Sequence, residues 1–250
     1  MMIYLMVQYR NQQIDAGHNQ LMKFQKKHKL NNKEILKNID EQTTAIAKEF
    51  HDGFRFIEKY PRSVTIFGSA RALPESLHSQ TAEVLASRIV KEIGYSVVTG
   101  GGPGIMCAAN KGAFGAAGQS VGLSIDLLYE QKVNEFVTDG IHFNYFFARK
   151  VMLTFSAEAY VFFPGGFGTF DELFGILTLI QNNKIPRVPI ILMGKDFWGP
   201  LQEFIHISMY ENHATVSKAD MTLYKITDKI DEALDIIKKA PLSEWWEQTD

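Results

Sequence analysis

The apolar run Ala159-Tyr160-Val161-Phe162-Phe163 passes directly into Pro164-Gly165-Gly166-Phe167-Gly168-Thr169-Phe170-Asp171-Glu172. Leu173, Ile176, Leu177 and Ile180 then follow at helical spacing. This is a strand covered on both faces, a glycine turn and a helix, in that order. The same grammar recurs upstream. Ser63–Phe67 leads to Gly68-Ser69-Ala70-Arg71, and Tyr95–Thr99 leads to Gly100-Gly101-Gly102-Pro103-Gly104-Ile105-Met106. Other β-rich runs are Ser120–Ile125, Val188–Met193 and Thr222–Ile226, and a helical pattern lies at Val84, Leu85, Ile89 and Ile93. Strands alternating with helices predict an α/β fold, a Rossmann-like, doubly wound parallel sheet flanked by helices. Such sheets bind ligands beyond the carboxyl ends of their strands. Functional residues are therefore expected just after Phe67, Thr99, Ile125 and Phe163.

Residues 1–60 have a different texture, polar and with clusters such as Lys26-Lys27-His28-Lys29. Ile35, Ile39, Ile46, Phe50, Phe54 and Ile57 form a helical stripe, with Asn31 and Glu34 as a start signal and Pro61 as a stop. The expected organisation is a helical N-terminal extension, 1–60, and a Rossmann-like domain, 61–250. The stripe must be buried on its own domain or on a partner.

Composition narrows the function. The chain has 250 residues, with 26 Lys+Arg against 28 Asp+Glu and a net charge of −2, so it lacks the basic footprint of a dedicated nucleic-acid binder. No apolar run approaches the ~18 residues of a membrane span. The single cysteine, Cys107, has no intramolecular partner for a disulfide, and the N-terminus lacks the pattern of a cleaved secretory signal. A cytoplasmic protein is expected, with neither nucleic acid nor membrane as partner.

Glycine lets backbone N–H groups approach an anion, and a helix N-terminus adds unpaired donors and a favourable dipole. Any one of these loops alone reads equally as a tight strand-to-helix turn. Three at one sheet edge favour a phosphate site. The dinucleotide fingerprint fails, because Gly102-Pro103-Gly104-Ile105-Met106-Cys107 breaks at its last position. Gly194-Lys195 is followed by Asp196, so the triphosphate motif fails too. A monophosphate is the simpler match.

Arg149-Lys150 interrupts an apolar, aromatic stretch from Phe143 to Met152 and reads as a snorkelling surface pair or an anion clamp. For Asp171, complementing the helix dipole is the better reading. Glu172 differs, since a carboxylate near a bound phosphate is repulsive unless positive charge develops on the sugar. Cleavage of a glycosidic bond develops that charge.

Together these residues resemble the Lonely Guy (LOG) family of phosphoribohydrolases, formerly mislabelled as lysine decarboxylases. The resemblance runs from about Ser63 to at least Gln181. Pro164–Glu172 matches the family's PGGxGTxxE signature, and Arg149-Lys150 its arginine–lysine pair. Gly100–Met106 looks like its GGGxxGxM loop, and Gly68-Ser69 like its first-strand turn. Phe146-Phe147-Ala148 stands where many plant members read Met-His-x, which looks like a bacterial branch with an N-terminal helical extension. The resemblance implies cleavage of a nucleoside 5′-monophosphate, AMP or a cytokinin-type adenine nucleotide, to free base and ribose 5-phosphate. Arg149 and Glu172 would be the catalytic pair. Gly68, Ser69, Gly101, Gly102, Gly104, Met106, Lys150, Gly165, Gly166, Gly168, Thr169 and Asp171 would contact substrate, as would Glu130 and Thr178. No cofactor or metal is implied.

The seven histidines lack ligand spacing, and Cys107 reads as a packing residue. Phe143, Tyr145, Phe146 and Phe147 suit either purine stacking or the core. Pyridoxal chemistry is rejected, because Lys150 beside Arg149 is a poor Schiff-base candidate. The alternative function is a non-catalytic carrier of a nucleotide or molybdenum cofactor on a similar fold. The helix after Glu172 is apolar on nearly every side, with Phe174, Leu177 and Leu179 needing cover, so a homodimer or higher homo-oligomer is expected.

Overall fold

The computed structural model describes residues 32–125 and 133–242. The chain divides into two compact units, Met1–Lys48 and Glu49–Asp250. In the first unit, Ile39 is half-exposed. Helix α1 (Asn32–Ile57) extends into the second unit, where Phe56 and Ile57 are buried.

Seven parallel strands form one sheet in the order β4-β3-β2-β1-β5-β6-β7. These are β1 (Ser63–Phe67), β2 (Ser96–Thr99), β3 (Ser120–Ile125), β4 (Asp139–Phe143), β5 (Ala159–Phe162), β6 (Ile190–Met193) and β7 (Lys225–Thr227). Between them lie α2 (Leu77–Arg88), α3 (Ile105–Gly115), α4 (Phe146–Phe155), α5 (Phe167–Gln181), α6 (Lys195–Phe204) and, last, α7 (Ile230–Lys239). The expected α/β sheet is the one observed.

Strand β5 shows why it is covered on both faces. Ala159, Val161 and Phe163 pack into one core with Val64, Ile66, Leu85 and Ile105. Tyr160 and Phe162 point the other way, into a core with Phe67, Met152, Leu173 and Trp198. Alternate side chains serve opposite layers, so every position must be apolar or hydrogen-bonded. In β1, Thr65 meets this demand with its hydroxyl 3.0 Å from that of Ser156.

The structure departs from the sequence reading at the edges. Strand β4 was not expected. Its Asp-Gly-Ile-His-Phe run is only intermittently buried because it pairs on one side only, with β3. Helix α4 also lay hidden in the aromatic stretch. Strand β7 is displaced to Lys225–Thr227, because a short 3-10 turn occupies Asp220–Thr222.

Strands β1 and β5 are neighbours, with Val64 opposite Ala159 and Phe67 opposite Phe162. From β1 the chain winds outward through β2, β3 and β4; from β5 it winds the other way through β6 and β7. The loops after β1 and β5 therefore diverge and leave a crevice at the carboxyl edge.

Candidate active site

Backbone hydrogen bonds tie the loops together at this edge. Ser69 N–H donates to the Pro164 carbonyl at 3.0 Å, joining the β1 and β5 loops, and the Ser69 carbonyl accepts from Ile105 N–H at 3.0 Å. Gly104 has φ +67°, and a Cβ there would collide with the Ser69 carbonyl. Backbone conformation and close approach both require glycine at this position.

Helix α5 begins at the end of the β5 loop. Its N-cap, Gly166, supplies no side-chain hydrogen bond, so the first-turn N–H groups lack an intrahelical acceptor. A Cβ on Gly166 or Gly168 would meet nothing within 4 Å, so both glycines face open space. Gly165 is different, since a Cβ there would strike Thr169 Oγ1. Thr169 is buried beneath the turn, and Phe167 stands almost fully exposed beside it.

One turn into α5, Glu172 is only 6% exposed. Its Oε2 accepts no hydrogen bond from any described residue and lies 3.9 Å from Lys150 Nζ. Burial raises its pKa from 4.5 to about 7; the Lys150 and Arg149 charges oppose that rise, and the Asp171 charge adds to it. The carboxylate thus lies buried at the start of α5, with one oxygen lacking a hydrogen bond from any described residue and Lys150 as its nearest cation. Lys150 is anchored by Asp171, donating to its Oδ2 at 2.5 Å and to its carbonyl at 2.9 Å. Asp171 thus holds Lys150, a contact that dipole complementation alone does not describe. Gly175, one turn on, leaves room for this amine: a Cβ would lie 3.1 Å from Lys150 Nζ.

Arg149 reaches in from α4. Its Nε donates to the Leu123 carbonyl at 2.6 Å, and its Nη2 lies beside Gly100, where a Cβ would collide with it. Met106 faces the same point, its Sδ 2.8 Å from that Cβ position. Gly100→Ala should therefore displace the flexible end of Arg149 while leaving the fold intact. If the crevice is a catalytic site, turnover should fall by roughly 10²-fold with a nearly unchanged melting temperature. A loss of stability that parallels the loss of rate would contradict this placement.

Beneath the Gly100–Gly104 loop is a polar support that sequence reading missed. Thr99 Oγ1 donates to Asn110 Oδ1 at 2.6 Å and accepts from Gly101 N–H at 2.9 Å. The Asn134 amide donates to the Gly101 and Gly102 carbonyls, each at 3.0 Å. Asn110 is fully buried. A buried asparagine in a helix was the available signal; Asn134, in a loop, carried none.

The other expected residues fare differently. Gly68, Ser69, Gly101, Gly102, Gly104, Gly165, Gly166, Gly168, Thr169, Arg149 and Glu172 lie on the loops and helix starts at this edge. Glu130 lies outside the described residues. Thr178 is exposed, its hydroxyl donating to the Phe174 carbonyl at 2.7 Å. It lines a groove of about 570 Å³ with Lys150, Phe167, Phe170 and Phe174, along a face of α5 that does not carry Glu172. Phe143 is core, whereas Phe146 and Phe147 are about half-exposed. Cys107 is partly exposed rather than buried. Among the described residues, no His, Cys, Asp and Glu cluster is placed to hold a metal, and no helix is long and apolar enough to cross a membrane.

Glycine loops and a buried glutamate therefore meet at the carboxyl edge of a parallel sheet. A family described as "Possible lysine decarboxylase" matches residues 106–237. The chain belongs to this family, the LOG family of the sequence resemblance. It is 26% identical over 153 residues to the "Probable cytokinin riboside 5'-monophosphate phosphoribohydrolase LOGL5" of Oryza sativa subsp. japonica, covering 60% of this chain and 61% of that protein. It is 24% identical over 157 residues to the "Cytokinin riboside 5'-monophosphate phosphoribohydrolase" of Rhodococcoides fascians, covering 62% and 79%. The match thus spans under two thirds of the rice protein's length. Among solved structures, the molybdenum cofactor carrier protein of Chlamydomonas reinhardtii superposes with TM-score 0.55 at 20% identity, covering 72% of this chain and 97% of that one. The molybdenum cofactor binding protein of Rippkaea orientalis gives TM-score 0.53 at 24% identity, covering 70% and 93%. These two likenesses show the shared fold.

Proposed function

We propose that this protein is a phosphoribohydrolase that cleaves the N-glycosidic bond of a nucleoside 5′-monophosphate. The C1′–N bond breaks; water supplies hydroxyl to C1′ and a proton to the leaving base, giving free base and ribose 5-phosphate. The 5′-phosphate sits on the α5 first-turn N–H groups and the Gly100–Gly104 loop. Arg149 holds the phosphate or sugar and helps place the water. Ionised Glu172 polarises the ribose and stabilises the oxocarbenium-like transition state. The substrate class is AMP or a prenylated adenine nucleotide; the rice and Rhodococcoides relatives are named for cleaving cytokinin riboside 5'-monophosphates.

The buried Glu172, whose Oε2 has no hydrogen bond from a described residue, carries this reading. A carrier of a nucleotide or of molybdenum cofactor needs the glycine loops but gains nothing from a carboxylate set against its anion. Incubation with a panel of nucleoside monophosphates should release base from at least one adenine nucleotide; no release from any of them would sink the proposal.

We also infer self-association. Phe167 and Phe174 expose apolar surface on α5, although Leu177 and Leu179 are half-buried against the core. Light scattering at micromolar concentration should give at least twice the 28.3 kDa chain mass. A monomer mass would refute it.

A further inference from the structure

A single carboxylate on α1 holds the entry of the helix that carries Arg149 and Lys150. Glu49 Oε1 accepts from Asn144 N–H at 2.9 Å and from the Asn144 side-chain amide at 2.6 Å. Its Oε2 accepts from Tyr145 N–H at 3.1 Å. Tyr145 is the N-cap of α4 and makes no side-chain capping bond of its own. Glu49 therefore supplies from another element the acceptor that helix entry lacks, with its charge at the favourable end of the dipole.

Downstream of this clamp, α1 and α4 meet through side chains. The rings of Phe50 and Phe147 stack with centroids 6.3 Å apart, and Phe54 meets Phe155 edge-on at 5.7 Å. Between these pairs, Gly53 packs so tightly that a Cβ would lie 2.7 Å from Met152 Cγ and 3.2 Å from Phe143 Cε1. These contacts pack the flank of α4 against α1, whereas the Glu49 bonds hold its entry. Arg149, one turn beyond Tyr145, has to place its guanidinium between the Leu123 carbonyl and Gly100. A small rotation of α4 would take it away from both.

We propose that Glu49 is a positioning residue that sets the register of α4 and, through it, the placement of Arg149 in the crevice. It touches neither substrate nor the reacting atoms. The claim rests on the phosphoribohydrolase reading for its activity arm alone. Its structural arm is independent of that reading.

The test uses the full chain with Glu49→Ala, Glu49→Gln and, as a packing control, Phe54→Ala. Glu49→Ala should lower kcat by roughly 10- to 100-fold, because a misplaced group acts on the chemical step. Glu49→Gln, which keeps a carbonyl acceptor, should recover a substantial part of that loss. Phe54→Ala should lower the melting temperature at least as much as Glu49→Ala yet keep turnover within about twofold of wild type, since it leaves the helix entry intact. Hydrogen exchange should show the amides from Asn144 to Lys150 opening at least 10-fold faster in Glu49→Ala, with β5 unchanged. Activity in Glu49→Ala within twofold of wild type overturns the proposal, as does a loss that Phe54→Ala reproduces. If wild type releases no base, the functional reading fails by itself. Exchange then decides the Glu49 assignment: unaltered protection of α4 overturns it, and selective opening supports it.

Discussion

Glu172→Gln should leave the nucleotide bound and uncleaved, with base release lowered about 100-fold or more. The amide keeps the shape of the side chain and loses the charge that meets the oxocarbenium ion. Binding should remain measurable by calorimetry, because the phosphate contacts lie on the glycine loops. The same substitution should make the fold more stable. Burial raises the Glu172 pKa from 4.5 to about 7, so the folded protein holds that proton more tightly than the unfolded chain. Below pH 4.5 both states are protonated and the residue contributes no pH-linked difference. As pH rises through the window to about 7, wild-type stability falls, by up to ~3 kcal/mol at ~1.4 kcal/mol per pKa unit. Glu172→Gln escapes that loss and should melt higher than wild type at pH 8, with the difference closing near pH 4.5. Turnover in wild type should rise with pH through the region near 7 as the carboxylate ionises. Near-normal base release by Glu172→Gln would remove the residue from the mechanism.

The second large effect concerns the substrate. Adenosine should fail where AMP is cleaved, because the open glycine positions at the start of α5 face a place suited to an anion. Two charge-assisted hydrogen bonds at ~1.5–3 kcal/mol each, used to lower the barrier at the glycosidic carbon, correspond to roughly 10²–10⁴ in kcat/KM. Competitive inhibition by ribose 5-phosphate and none by ribose should accompany it. Comparable kcat/KM for nucleoside and nucleotide would contradict the phosphate cradle.

The central strands and the glycine loops were legible in the sequence because burial on both faces favours apolar runs, and because tight turns with close backbone approach, as at Gly104, call for glycine. Ser63–Phe67 and Ser120–Ile125 are strands over the expected residues. Strand β4 was not legible. An edge strand buries little, and the Asp139–Phe143 run has no continuous apolar signal. Strand β7, only three residues long, likewise leaves little trace, and a 3-10 turn takes up the start of the run expected there.

Around the candidate site, Glu172 and Arg149 stood out because each breaks a pattern, a carboxylate near an expected phosphate and a cation among aromatics. The residues that hold them did not. Asn134 and Asn110 act by joining distant carbonyls and hydroxyls, which no local spacing encodes. Glu49 lies 95 residues before Asn144 in an amphipathic helix, where a glutamate looks like any solvated one. Lys150 and Asp171 drew attention separately, and only the fold pairs them at 2.5 Å. Residue types that face an anion carry their chemistry in the sequence, whereas those that fix geometry acquire it in three dimensions.

The hydrolase and carrier readings separate most sharply in one product analysis. Purified protein is incubated with AMP and with a prenylated adenine nucleotide, and nucleotide, nucleoside, free base, ribose 5-phosphate and inorganic phosphate are all quantified by mass spectrometry. The account predicts, for at least one of the two, free base and ribose 5-phosphate in equal amounts, with neither nucleoside nor inorganic phosphate accumulating. Recovery of intact nucleotide in stoichiometric complex with the protein, without any base release, would contradict it.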